Sequence, residues 1–266
     1  MKHTIVQLPL VVVLASIFVL HAVPTAHAQE ECSSASLLGS FGVTSTGTIV
    51  GVGALGAVGV VTFDGQGNHI GFDTISLDGS IIPKLTFTGT YSVNSDCTGS
   101  DTENFQNGLT IHRNFVIVDA GGEIRFIVTN PGNAVTAFAR KIGLGEGACS
   151  VSRLDGSFGI TTTGSIVAFG PVGPVAEVGV IKFDGAGSVS QTTTLSLNGN
   201  ILPNRSSISG SYQVNRDCTG DLSLVLPVPG GTITSTSNFV IVDHGKEIRL
   251  VNTGAGRVLL GNARKE

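Results

Sequence analysis

Outside the first 28 residues, the chain could do chemistry with three histidines, four cysteines and two sets of aspartates. His69, His112 and His244 lie far apart, and none stands beside a serine or cysteine motif of nucleophilic catalysis. Cys32, Cys97, Cys149 and Cys218 have neither C-x-x-C spacing nor a partnered histidine, so redox and nucleophilic roles are not expected. Asp64, Asp96 and Asp119 return as Asp184, Asp217 and Asp243. Oxygens from several such turns can converge on calcium. Aspartate before glycine is also ordinary turn chemistry, and Arg140 and Lys141, or Arg264 and Lys265, are expected at the same end as neutralising charges. No metal and no cofactor are expected. Glu123 and Arg125 recur as Glu247 and Arg249 at alternating positions and read as an exposed ion pair. The chain is read as non-enzymatic; a cofactor-free isomerase acting through shape alone is the catalytic form such a sequence would reveal least.

What positions these residues is a duplicated unit. Cys32 through Gly39-Ser40-Phe41-Gly42 recurs as Cys149 through Gly156-Ser157-Phe158-Gly159. Phe63-Asp64-Gly65 returns as Phe183-Asp184-Gly185, and Asn114 to Asp119 returns as Asn238 to Asp243. Ala139-Arg140-Lys141 returns as Ala263-Arg264-Lys265, so the match runs from first cysteine to last lysine and marks a whole-domain duplication. In this alignment His69, His112 and His244 face Val189, Thr236 and Ala120, so no histidine is shared by both copies. The domains are expected at 29–141 and 149–266, with 142–148 as a linker too short for free tumbling.

Each copy carries eight candidate strands, which in the first run approximately 37–50, 57–64, 69–77, 84–94, 98–106, 109–119, 123–130 and 133–141. The fourth alternates Leu85, Phe87, Gly89, Tyr91 and Val93 with Lys84, Thr86, Thr88, Thr90, Ser92 and Asn94, a period of two with one face buried. Short strands, hairpin turns and no room for helices predict an all-β chain of two tandem antiparallel up-and-down barrels, about eight strands each. A two-sheet β-sandwich is the competing arrangement.

Lys2 and His3, the apolar run Ile5 to Val23 and the small-x-small Ala26-His27-Ala28 form a signal peptide over 1–28, so the product is expected to be secreted, periplasmic or extracellular, with no membrane span after cleavage. Without that segment 14 basic residues face 19 acidic ones, a net charge of −5, which excludes the basic face nucleic acid requires. Two tyrosines and no tryptophan cannot build the aromatic girdles of a transmembrane barrel.

Gly89-Thr90-Tyr91-Ser92-Val93-Asn94-Ser95-Asp96-Cys97-Thr98-Gly99, echoed at 210–220 as Gly-Ser-Tyr-Gln-Val-Asn-Arg-Asp-Cys-Thr-Gly, resembles a signature of secreted bacterial proteins of uncharacterised function with tandem G-T-Y-x-V-N-x-D-C-T-G units. The resemblance covers nearly all of both copies. It implies a barrel similar to those of lipocalins or the allene oxide cyclase group, by fold analogy alone, with no functional residue carried over.

Four cysteines permit three pairings; strand parity returns the fourth turn to the end where each copy begins, so Cys32 is expected to bond Cys97, and Cys149 to bond Cys218, with pairing between the copies, such as Cys32 with Cys149, as the alternative. The same parity gathers apolar turn residues at the opposite rim. These are Val52, Leu55, Ile81 and Ile82 in the first copy and Phe169, Val172, Ile201 and Leu202 in the second. Solvated loops are ordinarily polar. The rim is therefore expected to bind a hydrophobic small molecule or an envelope protein. The chain would then be a binding protein or a structural, adhesive module.

Overall fold

Turn residues with left-handed backbone divide the chain into its strands. Asp78-Gly79 and Asn198-Gly199 are two-residue turns with positive φ at both positions (48° and 79°; 49° and 82°), the geometry that matches the twist of an antiparallel hairpin. The computed structural model describes residues 31–145, 147–228 and 230–266, with backbone alone for 203–207. The expected signal peptide lies outside the described residues.

The first barrel runs β1 (Gly39–Ile49), β2 (Gly53–Phe63), β3 (Asn68–Leu77), β4 (Ser80–Val93), β5 (Thr98–Phe105), β6 (Thr110–Val118), β7 (Glu123–Val128) and β8 (Asn133–Lys141). The second runs β9 (Asp155–Ile166), β10 (Gly173–Asp184), β11 (Ser188–Leu197), β12 (Asn200–Val214), β13 (Thr219–Val228), β14 (Gly231–Val242), β15 (Glu247–Asn252) and β16 (Arg257–Lys265). Each set pairs in sequence order and closes, β1 on β8 and β9 on β16, into an eight-stranded antiparallel barrel. Closure removes the free edges a sandwich would leave.

Strand β4 begins at Ser80, earlier than the alternation after Lys84 suggested. Pro83 cannot donate to a ladder, and the β3–β4 register shifts between Asp73 and Ile75 to accommodate it. Pairing resumes beyond the shift, Ile75 with Ile82 and Ser76 with Ile81, and continues to the turn.

One end of each barrel is corked by the segment before its first strand. A 3-10 turn, Ser34–Leu37, drops the fully buried Leu37 into the first core, and Leu154, after the turn Val151–Arg153, does the same in the second. The single tyrosine of each copy secures the cork, Tyr91 Oη donating to Ser34 O (3.0 Å) and Tyr212 Oη to Leu154 O (2.9 Å). Cys32 bonds Cys97, and Cys149 bonds Cys218, at the same ends. Two disulfides mark an extracytoplasmic chain.

The barrels pack side by side. Val58 and Val60, on the outer face of β2, join the same apolar cluster as Val240, Val242 and Val251. Gly42 permits this approach, because a Cβ there would overlap Val240 and Val242. Every residue of β15 is buried, a strand with core on one side and the other barrel on its other. Across the seam Ser76 Oγ donates to Arg257 O (2.6 Å), Gly256 N to Gly79 O (2.9 Å) and His244 N to the linker carbonyl of Ile142 (2.9 Å). Among the described residues no helix is long and apolar enough to cross a membrane.

Candidate functional site

The turns that parity assigns to one rim do carry exposed apolar side chains. Val52 is exposed in the β1–β2 turn, and in the β9–β10 loop Phe169 and Val172 are 84% and 57% exposed. Phe169 holds a left-handed backbone (φ 60°), costly for an aromatic residue and outside any strand. Ile201 (60% exposed) and Leu202 belong to β12, not to a loop, yet remain open to solvent. Leu55, in β2, and Ile81 and Ile82, in β4, are only half-buried strand residues, because the Asp78-Gly79 turn carries the strands to the rim. Val50 and Leu109, in turns at this end, extend the apolar set, as does Ile233 near the start of β14.

At the opposite end the aspartates are engaged within the protein. Asp64 accepts from the backbone N–H of Gln66 (2.7 Å) and Asn68 (2.9 Å), and Asp184 from those of Ala186 and Ser188 (2.8 Å each). These bonds hold the carboxyls of Asp64 and Asp184 below the usual aspartate range, Asp64 chiefly through the side chain of Asn68. Arg140 reaches Asp119 and Glu123 in its own barrel and Asp243 and Glu247 in the other, while Arg264 reaches Asp243 and Glu247. The neighbouring lysines do not join this network. Lys141 and Lys265 lie over the rings of Phe41 and Phe158. The Glu247–Arg249 pair is not exposed as expected; the seam buries it, whereas Arg125 of the matching pair is open.

The largest concentration of chemistry lies inside the first barrel, at residues that no short sequence motif singles out. His69 and Asp73 point inward from β3, Asp101 and Glu103 from β5 and Arg113 from β6, all buried. Arg113 Nε donates to Asp101 Oδ1 (2.9 Å), its Nη2 meets both Asp101 and Glu103, and its guanidinium lies over Phe126, 4.4 Å from the centroid. One cation cannot balance three buried carboxylates, so protons must. Burial raises Glu103 to about 8 and Asp73 to about 6, with Arg113 pulling both the other way. Burial also opposes the charge on Arg113, but Glu103 and Asp101 more than offset it. His69 sits among Phe63, Phe87 and Tyr91, its Nε2 3.7 Å from Asp101. Neither ring nitrogen has a hydrogen-bond partner, and burial lowers its pKa to about 4.

A signal for this cluster was present. Asp101 and Glu103 share the parity of Phe105, and Arg113 that of Phe115 and Ile117. Their counterparts in the second copy are Leu222, Leu224 and Ser237. Laying alternation over the repeat exposes the substitution of charge for leucine. Two clefts, of about 350 Å³ and 250 Å³, lie between the barrels, and none of the five buried groups lines either one. Aromatic side chains fill the centre of the first barrel.

No family model matches the chain, and no curated protein does. Among solved structures, the isotype 1 transferrin binding protein B of serogroup B Neisseria meningitidis aligns over 85% of this chain and 75% of its own, at 7% identity and a TM-score of 0.36. A protein of unknown function from the DUF3598 family of Nostoc punctiforme aligns over 86% and 95%, at 12% identity and a TM-score of 0.17. Likenesses this distant carry no functional argument, and the architecture rests on the strand pairing itself.

Proposed function

We propose that this is an exported, non-enzymatic binding module that engages an apolar surface of another envelope or secreted protein through the rim opposite its corked ends. The observation that carries the reading is Phe169, an almost fully exposed aromatic side chain on left-handed backbone, with Val172 beside it in the loop and Ile201 and Leu202 on the same rim. Fully burying such side chains is worth roughly 1.5–3 kcal/mol each, and all four stay exposed in the protein. The filled first barrel favours a surface partner over a hydrophobic small molecule carried inside. The resemblance to secreted proteins with tandem G-T-Y-x-V-N-x-D-C-T-G units agrees with export.

The test replaces Phe169, Val172, Ile201 and Leu202 with serine. Binding of a hydrophobic dye, and retention on an apolar resin, should fall while the thermal midpoint barely moves. Unchanged dye binding overturns the assignment. A structural module with an inert rim is the reading that would then stand.

A further inference from the structure

The seam between the barrels joins two unlike faces. The first barrel contributes the outer sides of β1 and β2, with Gly42, Val58 and Val60; the second contributes those of β14 and β15, with Val240, Val242 and Val251. Because the chain is a duplication, each barrel carries a version of both faces. A contact between unlike faces therefore leaves one of each unused, the β9–β10 face of the second barrel and the β6–β7 face of the first. Contacts of this heterologous kind propagate by repeating the same rule, into rings or filaments.

The unused faces keep the residues of the seam. Val178 and Val180 pair with Thr161 and Gly159 as Val58 and Val60 pair with Thr44 and Gly42, and Val178 is 58% exposed. Val116 and Ile127 occupy the places of Val240 and Val251, and Ile127 is 53% exposed. At Gly42 a Cβ would overlap Val240 and Val242, so the seam requires glycine there. At Gly159 the nearest described atom to such a Cβ is Arg264 O, 4.0 Å away, and the backbone is not left-handed. Glycine weakens a strand interior and often marks where another backbone or ligand approaches closely. The room at Gly159 is used only if the counterparts of Val240 and Val242, which are Val116 and Val118, arrive from outside the chain. The charges repeat as well. Arg140 lies 3.7 Å from Asp243 and 3.9 Å from Glu247 across the seam. Its counterpart Arg264 and the matching carboxylate Asp119 are both mostly exposed, one beside each unused face.

We propose that a second copy of this chain docks head to tail on these faces, Val116, Val118 and Ile127 of one molecule seating against Gly159, Val178 and Val180 of the next. Arg264 of one chain then meets Asp119 and Glu123 of its neighbour, as Arg140 meets Asp243 and Glu247 within the chain. Arg125 donates to Asn262 O of the neighbour, as Arg249 Nη1 donates to Phe138 O across the seam (2.9 Å). The contact is weaker than the seam. Thr192 stands in place of Phe72 and Thr136 in place of Leu260, two residues that pack at the seam, and no linker holds the partners together. The faces lie on the barrel walls and do not depend on the rim's role.

The experiment isolates the monomer of the full chain, exported by an expression host, and follows its mass by sedimentation velocity from about 1 μM to about 1 mM, the range of weak untethered contacts. The mass should rise with concentration and return to that of the monomer on dilution. Val178→Lys and Ile127→Lys, both at exposed positions, should keep the thermal midpoint and stay monomeric alone. Mixed together they should form a one-to-one dimer and nothing larger, since each still offers one intact face. Gly159→Ala should fold at least as stably as the parent yet weaken assembly about tenfold or more, because the added Cβ meets only the neighbour. Should either lysine variant fold poorly, Gly159→Ala still decides the matter. A parent chain that stays monomeric throughout overturns the proposal. So do self-association of either lysine variant alone, a mixture that remains monomeric, and unchanged assembly in Gly159→Ala.

Discussion

The two barrels share strand number, cork, disulfide and turn chemistry, yet differ where neither is visible from outside. Where the first places Asp101, Glu103 and Arg113, the second places Leu222, Leu224 and Ser237; where the first has His69 and Asp73, the second has Val189 and Thr193. The second barrel turns one carboxylate inward, Glu177, and satisfies it with neutral donors, Thr193 Oγ1 (2.6 Å) and Gln191 Nε2 (3.2 Å). One frame thus tolerates an ionic interior or a largely apolar one, and the difference makes the first barrel answer to pH.

The largest expected effect comes from breaking the ionic interior halfway. Arg113→Met strands Asp101 without its cation and should destabilise the first barrel by about 3–5 kcal/mol, read from chemical denaturation. Replacing the four charged residues with those of the other copy, Asp73→Thr, Asp101→Leu, Glu103→Leu and Arg113→Ser together, should instead be neutral or stabilising by about 1–4 kcal/mol. A quadruple variant less stable than Arg113→Met would show that the interiors are not interchangeable.

The pH dependence is the next effect in size. In the folded barrel Glu103 keeps its proton up to about pH 8, against 4.5 when unfolded, and Asp73 up to about 6, against 3.8. Between those limits the folded state holds more protons, so stability falls as pH climbs from about 4 to 8. His69 acts oppositely, since its folded value near 4 lies below 6.5 and its contribution is lost on acidification through that window. Two raised carboxyls outweigh one lowered imidazole, so the net slope is downward with pH. Hydrogen exchange at two matched amides separates the barrels: Ile117 N–H, bonded to Cys97 O, should lose protection from pH 5 to pH 8 more than Ile241 N–H, bonded to Cys218 O. Glu103→Gln should flatten the Ile117 profile. Equal slopes at the two amides would remove the contrast.

The smallest effect compares rim residues. Phe169→Ser should change stability by no more than about 0.5 kcal/mol, as for an exposed surface site. Ile82→Ser, in a half-buried strand position, should cost more, roughly 1–2 kcal/mol. Matching thermal shifts for the two variants would mean that the strand and loop parts of the rim are equally exposed.

Strand number and closure were legible because glycine-containing turns and period-two runs are local signals. Lys84 to Asn94 reads as a strand without any tertiary information. The start of β4 was not legible, because Pro83 normally ends a ladder and only the register shift opposite Asp73 rescues it. The buried Glu247–Arg249 pair was hidden for another reason. Its twin Glu123–Arg125 is identical in sequence, and only packing against the other barrel, invisible to repeat alignment, buries one and leaves an arginine of the other in water. The ionic cluster is legible only where alternation and repeat are laid together, because no short motif of catalytic spacing holds Asp101, Glu103 and Arg113.

The apolar outer face of β2 also sets a timetable. A chain that emerges amino end first completes its first barrel while Val58 and Val60 still lack their cover, since Val240, Val242 and Val251 come near the other end of the chain. At synthesis rates of about 5–20 residues per second, a further hundred or so residues leave that face bare for roughly 5–20 s. During that interval the half-made protein is a sticky monomer, and neighbouring copies compete with its own second half for the same valines. Crowded expression should therefore yield dimers joined through the seam, each first barrel capped by a stranger's second.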